Sequence, residues 1–190
     1  MDSERLATNL RYLLWRRGVP RGSWAAELRR VLPGEWSQER VRRVLSRGTQ
    51  DYGEVQALAT ALDLRDEDLM MADLLAEGRT DVLQENLRYL FAALEHGGKA
   101  ELAAYLGKDP STLSRWLAGT YGPPGTTLAQ IAQFFGLEAG TDLSVIPVFL
   151  APDPVSVQDR RRWLQERVDA LSAEEIRDLF PALKRLLEER

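Results

Sequence analysis

The stretch Glu101–Gly119, ELAAYLGKDPSTLSRWLAG, holds two short helices and the break between them. Leu102, Ala103 and Leu106 fall at helical spacing, and Gly107 ends that run. Glycine adopts the left-handed backbone that closes a helix without a steric penalty. Asp109 is placed to accept the loose N–H groups of the next helix. Pro110 takes that helix's first position, where a missing N–H removes no bond. Leu113, Trp116 and Leu117 give it an apolar edge, and Gly119 stops it. Beyond the loop Tyr121–Gly125, a further helix from Thr126 or Thr127 buries Leu128, Ile131, Ala132 and Phe135. Upstream, Val82, Leu83, Leu87, Leu90, Phe91 and Leu94 form the stripe of an amphipathic helix, with Gly97-Gly98 closing it.

That upstream helix contains Asn86-Leu87-Arg88-Tyr89-Leu90, and the same five residues stand at Asn9-Leu10-Arg11-Tyr12-Leu13, 77 positions earlier. The sequence after the first copy keeps the same plan. Leu6, Leu10, Leu13 and Leu14 make the first stripe, and Gly18 ends it. A second helix covers about Gly22 to Leu32. Ser37 caps a third that buries Val41, Val44 and Leu45 and ends near Gly48. A fourth covers about Tyr52 to Leu62. Val55, Leu58, Ala59, Leu62 and Leu64 then match Leu128, Ile131, Ala132, Phe135 and Leu137 at a constant offset of 73. The first copy departs in its turn, because Leu28 to Ser37 is nine positions and Leu106 to Asp109 only three. Either residues 29–34 are an insertion, or the second helix runs longer and Leu32 takes the place of Leu106. In the longer helix Arg29 falls where the second copy has the small Ala103.

The last 40 residues lie outside the repeat. Ala151-Pro152-Asp153-Pro154 reads as a linker, followed by helices over about Val157–Leu171 and Ala173–Glu189. Ser172 and Glu175 form a capping box. Pro181 is expected to kink the last helix or split it after Phe180. Trp163, Leu164, Val168 and Leu171 make one stripe; Ile176, Leu179, Phe180, Leu183, Leu186 and Leu187 make another. Apolar surface of this extent needs cover. It either folds back on the preceding domains or pairs with a second subunit, and self-association through residues 156–190 is the preferred reading. The expected layout is all-α: a first domain over 1–78, a second over 79–150, and a C-terminal helical pair over 151–190. The one β-rich stretch, residues 144–150, is interrupted by Pro147.

Composition narrows the function. The chain is 44% hydrophobic and 28% charged, ordinary for a globular protein. It has no apolar run of membrane length and no secretory leader pattern at its start. With no cysteine it has no thiolate ligand, thiol nucleophile or disulfide, and His96 is its one histidine. These features suit a cytoplasmic protein without metal or cofactor. No Gly-rich phosphate loop or nucleophile constellation is visible, which argues against an enzyme. The Asp66-Glu67-Asp68 run reads as a helix start, where acids favour the dipole. The net charge of −4 conceals a basic segment: residues 1–50 carry 11 arginines against 5 acids, whereas residues 51–80 carry 8 acids and 2 arginines. A basic segment in an acidic protein points to a local face for a polyanion.

The residues Leu102-Ala103, Leu106-Gly107, Asp109 to Trp116, Gly119 and Leu128 to Leu137 resemble the lambda-repressor (Cro/Xre) type of helix-turn-helix family. The repeat extends the resemblance to about residues 5–145 as two tandem copies. The resemblance implies that the capped third helix enters the major groove of double-stranded DNA and reads base edges with its second, third and sixth residues. Those are Ser111, Thr112 and Arg115 in the second copy, with Ser114 beside them. In the first they are Glu39, Arg40 and Arg43, flanked by Gln38 and Arg42. Arginine pairs with guanine in bidentate fashion, and glutamine with adenine. Arg21, Ser23, Arg47 and Lys99 lie at helix ends suited to phosphates. The leading reading is a sequence-specific DNA-binding transcriptional regulator of repressor type, acting as a homodimer. The alternative is an antitoxin or adaptor that uses the same domains to bind protein.

Overall fold

A computed structural model describes residues 2–188. The described residues form helices and turns with no strand, so the fold is all-α. The chain divides into two compact units. One runs to Tyr89 and takes in Asp142–Asp153; the other is Leu90–Thr141 with the segment from Pro154 onward.

In the first unit α1 (Ser3–Arg16) starts where the Asp2 carboxylate accepts the Arg5 N–H at 3.1 Å. It buries Leu6, Leu10, Tyr12 and Leu14, while Leu13 is half-buried. α2 (Trp24–Val31), α3 (Gln38–Arg47) and α4 (Tyr52–Leu62) follow. Ser37 caps α3 through the Arg40 N–H, and Asp51 caps α4. Val41, Val44, Val55, Leu58 and Leu62 complete the core with Leu28 and Trp36. α2 runs to Val31, and Leu32 is buried just past its end in extended backbone. Arg29 fits there because its guanidinium reaches out to the Gly34 carbonyl at 3.1 Å instead of packing inward. Gly48 closes α3 with φ +68°, and a Cβ there would lie 1.8 Å from the Ser3 carbonyl oxygen, so α1 and α3 meet at a position only glycine fits. Arg11 is buried between them and donates to the Leu45 carbonyl and to Thr8. Burial pushes its guanidinium down to about 10.

α5 (Asp66–Met71) begins with Asp66, Glu67 and Asp68 in its first turn, and α6 (Leu74–Glu77) follows. The segment 142–153 is a turn with a short 3-10 helix, Val148–Leu150, whose three side chains are buried. Phe149 packs on Trp15, ring centres 4.9 Å apart.

α7 (Val82–Ala92) carries the second NLRYL sequence, and the boundary between the units falls within it. In the second unit α8 (Gly98–Leu106) packs on both α9 (Pro110–Leu117) and α10 (Gly125–Phe134). Ala103 is buried, as a close helix crossing requires. Gly97 does not close α7, which ends five residues earlier; with φ +85° it is the residue from which α8 starts. α10 starts one residue before the expected threonines, and it buries Thr127 in preference to Leu128.

α11 (Val157–Asp169) is capped by Ser156 and tethered by a bond from the Val157 N–H to the Phe135 carbonyl at 3.0 Å. α12 (Ala173–Glu188) opens on the Ser172–Glu175 box, with the Ser172 N–H donating to the Glu175 carboxylate at 2.9 Å. Pro181 does not split α12: the helix continues through it, one backbone bond short. Trp163, Leu164, Val168, Ile176, Leu179, Phe180, Leu183, Leu186 and Leu187 are all exposed.

Candidate nucleic-acid interface

α8, the turn Gly107-Lys108 and α9 make a helix-turn-helix in the second unit. The turn is tight because Gly107 takes φ +61°. Its N–H and that of Lys108 return to the carbonyls of Ala104 and Ala103 at 3.1 and 2.9 Å. The Asp109 carboxylate accepts the Ser111 N–H at 2.8 Å, and hydrogen bonds from the Ser111 side chain and backbone hold that carboxyl below the usual aspartate value. Leu113 and Trp116 point into the core. Ser111, Ser114 and Arg115 are exposed on the opposite face, and Thr112 is half-buried. The Ser114 hydroxyl donates back to the Pro110 carbonyl at 3.4 Å. Lys99 is exposed in the first turn of α8.

Residues 94–140 match a helix-turn-helix family model. That family is one of DNA-binding regulators. The match begins just past α7 and contains the whole helix-turn-helix segment, α8 to α10. No curated protein and no solved structure matches the chain.

The corresponding region of the first unit lies outside the match. α3 buries Val41, Val44 and Leu45 and exposes Gln38, Glu39, Arg42, Arg43 and Arg47 along the other side. Arg40 lies differently from the open position expected of it. Its guanidinium sits 4.3 Å over the ring of the buried Trp36, and its Nε donates to the Glu54 carboxylate at 2.7 Å. Arg43 donates to the same oxygen at 3.1 Å and stays mostly exposed. Burial opposes ionisation of Glu54, yet the Thr49 hydroxyl and the two guanidiniums outweigh it and lower its pKa.

Arg21 opens a short 3-10 helix, Arg21–Ser23, that leads into α2, but its side chain does not face open solvent. It is half-buried, donates to the Tyr89 hydroxyl and to the Val148 carbonyl, and lies 4.8 Å over the Tyr89 ring. Ser23 is exposed at the start of α2. The basic face of residues 1–50 is therefore smaller than its count of arginines. Arg11 and Arg21 are directed inward, and Arg30 pairs with Glu27.

Glu54 is the residue that sequence reasoning passed over. One signal for it was present: Asp51-x-x-Glu54 is a helix-start pattern whose acid normally returns to its own cap. Here that acid faces the arginine-rich α3. Thr127, 73 positions on, is buried and uncharged. Among the described residues no cluster of three or more His, Cys, Asp or Glu is placed to hold a metal, and no helix is long and apolar enough to cross a membrane.

Proposed function

We propose that the protein is a sequence-specific regulator that binds double-stranded DNA and acts as a repressor, without catalysis, by occupying its site. The observation that carries this is the α8–turn–α9 unit, with Ser111, Ser114 and Arg115 exposed on a capped helix whose other face is core. The N-terminal turns of such a helix fit the major groove, where Arg115 meets guanine and the serines meet base or phosphate oxygens. We read the first copy, residues 1–78, as a second reader with α3 as its recognition helix. The exposed Gln38, Glu39, Arg42, Arg43 and Arg47 supply its contacts. Two copies of the chain joined through residues 156–190 would match the twofold symmetry of duplex sites.

The test is equilibrium binding to duplexes selected from a random pool, repeated over a range of salt. A selected duplex should bind at least about 10³-fold more tightly than a scrambled one. Affinity should fall with salt at close to one unit of slope per phosphate contact. Equal, weak binding to both duplexes would favour the second reading, a module that binds protein. The small number of cations in residues 81–150, namely Arg88, Lys99, Lys108 and Arg115, speaks for that reading.

A further inference from the structure

We propose that Glu54 is a positioning residue for base recognition: its buried carboxylate holds Arg40 and Arg43 in one arrangement, so that Arg43 presents its outer N–H edge to a base. The inference rests on the DNA-binding reading of α3. The geometry is specific to this site. A single oxygen of Glu54 accepts from Arg40 Nε at 2.7 Å and from Arg43 Nη2 at 3.1 Å. The face of Arg40 is closed off by Trp36. Both arginines stand on α3 one turn apart, and Glu54 reaches them from α4, so the three side chains tie the two helices together.

The two arginines are held to different degrees. The Arg40 side chain is 34% exposed and is fixed on an edge and a face; that of Arg43 is 58% exposed and is fixed at one nitrogen. A guanidinium carries several N–H donors in a rigid plane, so anchoring one nitrogen orients the rest. An unanchored arginine of four rotatable bonds reaches any phosphate nearby and gives affinity without selectivity. An anchored one has lost that freedom before binding, so its bidentate geometry toward guanine comes with less ordering on contact. Glu54 is itself held by its place in the first turn of α4, where the helix dipole favours a carboxylate. The second copy has Thr127 at the matching position, so Arg115 has no such support from there. The two recognition helices would then differ in kind: a braced arginine in the first and an unbraced one in the second.

The experiment uses the full chain and its Glu54→Gln and Arg43→Lys variants. Each is measured on the duplex selected by the parent and on a scrambled duplex of the same length and composition. Glu54→Gln should leave scrambled-duplex binding unchanged or tighter, since one negative charge is gone. The ratio of selected to scrambled affinity should fall by about tenfold. Arg43→Lys keeps the charge and loses the plane, and it should lose preference at the same base pair. A Glu54→Gln protein that melts cooperatively and keeps the parent's ratio overturns the proposal. If that variant does not fold, Arg43→Lys decides: undiminished selectivity overturns the proposal. A parent that selects no duplex overturns the DNA-binding reading itself, a result distinct from a selective parent whose variants are equally selective.

Discussion

Asn9 and Asn86 make the same set of bonds. Each is buried, and each Nδ2 donates to two carbonyls three residues apart: Leu69 and Ala72 for Asn9, at 2.9 and 2.8 Å, and Leu143 and Ile146 for Asn86, both at 2.8 Å. Each Oδ1 accepts a backbone N–H a few residues further on, from Leu74 at 3.4 Å and from Phe149 at 3.2 Å. A shared pentapeptide could arise from two similar helices; a shared pattern of tertiary bonds is harder to obtain by accident. The pattern supports reading the chain as a duplication, with the asparagine fastening the segment that follows the fourth helix. Asn9→Ala or Asn86→Ala should destabilise by about 1–3 kcal/mol for each carbonyl or N–H left buried and unpaired. Urea unfolding of the full chain measures this, and a change below about 0.5 kcal/mol would dismiss the clamp.

The helix ends are legible in the sequence because caps are local. Ser37, Asp109 and the Ser172–Glu175 box all act over two or three residues, and all are found in place. The core of α4 follows from periodicity for the same reason. The contacts that were not legible join residues far apart in sequence. Arg21 to Tyr89 spans 68 positions, and Arg40 to Glu54 crosses from one helix to the next. A count of arginines says nothing about which of them turn inward, as Arg11 and Arg21 do. The role of the two asparagines was hidden likewise, since a repeat shows that a residue recurs and not what it touches.

Asp63 ends α4 in the left-handed conformation, with φ 58°, where its counterpart Gly136 ends α10 with φ 63°. Both ends are closed the same way, by Leu64 N–H to Ala59 carbonyl at 2.9 Å and by Leu137 N–H to Ala132 carbonyl at 3.0 Å. The left-handed backbone strains a residue with a Cβ, aspartate less than most. Asp63→Gly should therefore raise stability, by up to about 1 kcal/mol, offset in part by the freer unfolded chain. A lower melting temperature for Asp63→Gly would show that the Asp63 side chain contributes more than its backbone strain removes.

The Glu54 pair has a pH signature. Its folded pKa is lowered, so the stability it contributes is complete above the ordinary glutamate value and is lost as pH falls through the lowered folded value. At neutral pH Glu54→Gln should destabilise by about 1.5–3 kcal/mol, the range for a hydrogen bond to a charged group. The gap between parent and variant should narrow on acidification below the glutamate range. Denaturant unfolding at several pH values measures it; a gap that stays constant down to pH 3 would mean that shape, not charge, joins α3 to α4.

The exposed stripes of α11 and α12 call for cover. A lone helix of this length is marginal in water, and α12 carries a proline besides. Replacing Leu179 and Leu183 by aspartate should turn a dimer into a monomer and weaken binding to a twofold duplex more than to a half-site. Sedimentation equilibrium reads the mass directly. An intact protein that stays monomeric at high concentration would leave these stripes to a different partner.

If the chain binds DNA as proposed, the placement of charge decides which helix grips it harder. α3 exposes Arg42, Arg43 and Arg47, whereas α9 exposes Arg115 as its one cation. Phosphate neutralisation dominates affinity, so the first copy should carry more of it. Arg42→Ala and Arg47→Ala should each reduce the salt slope by about one unit and weaken binding alike on selected and scrambled duplexes. Arg43→Ala should cost about 1–3 kcal/mol on the selected duplex and relax preference at one base pair. Arg115→Ala should weaken binding less and alter a different base pair. Fluorescence anisotropy of all four variants on the same duplex, from low to high salt, separates these effects. If Arg115→Ala abolishes selection while the α3 variants bind like the parent, the assignment reverses: α9 is the reader, and the arginines of α3 serve stability or a protein partner.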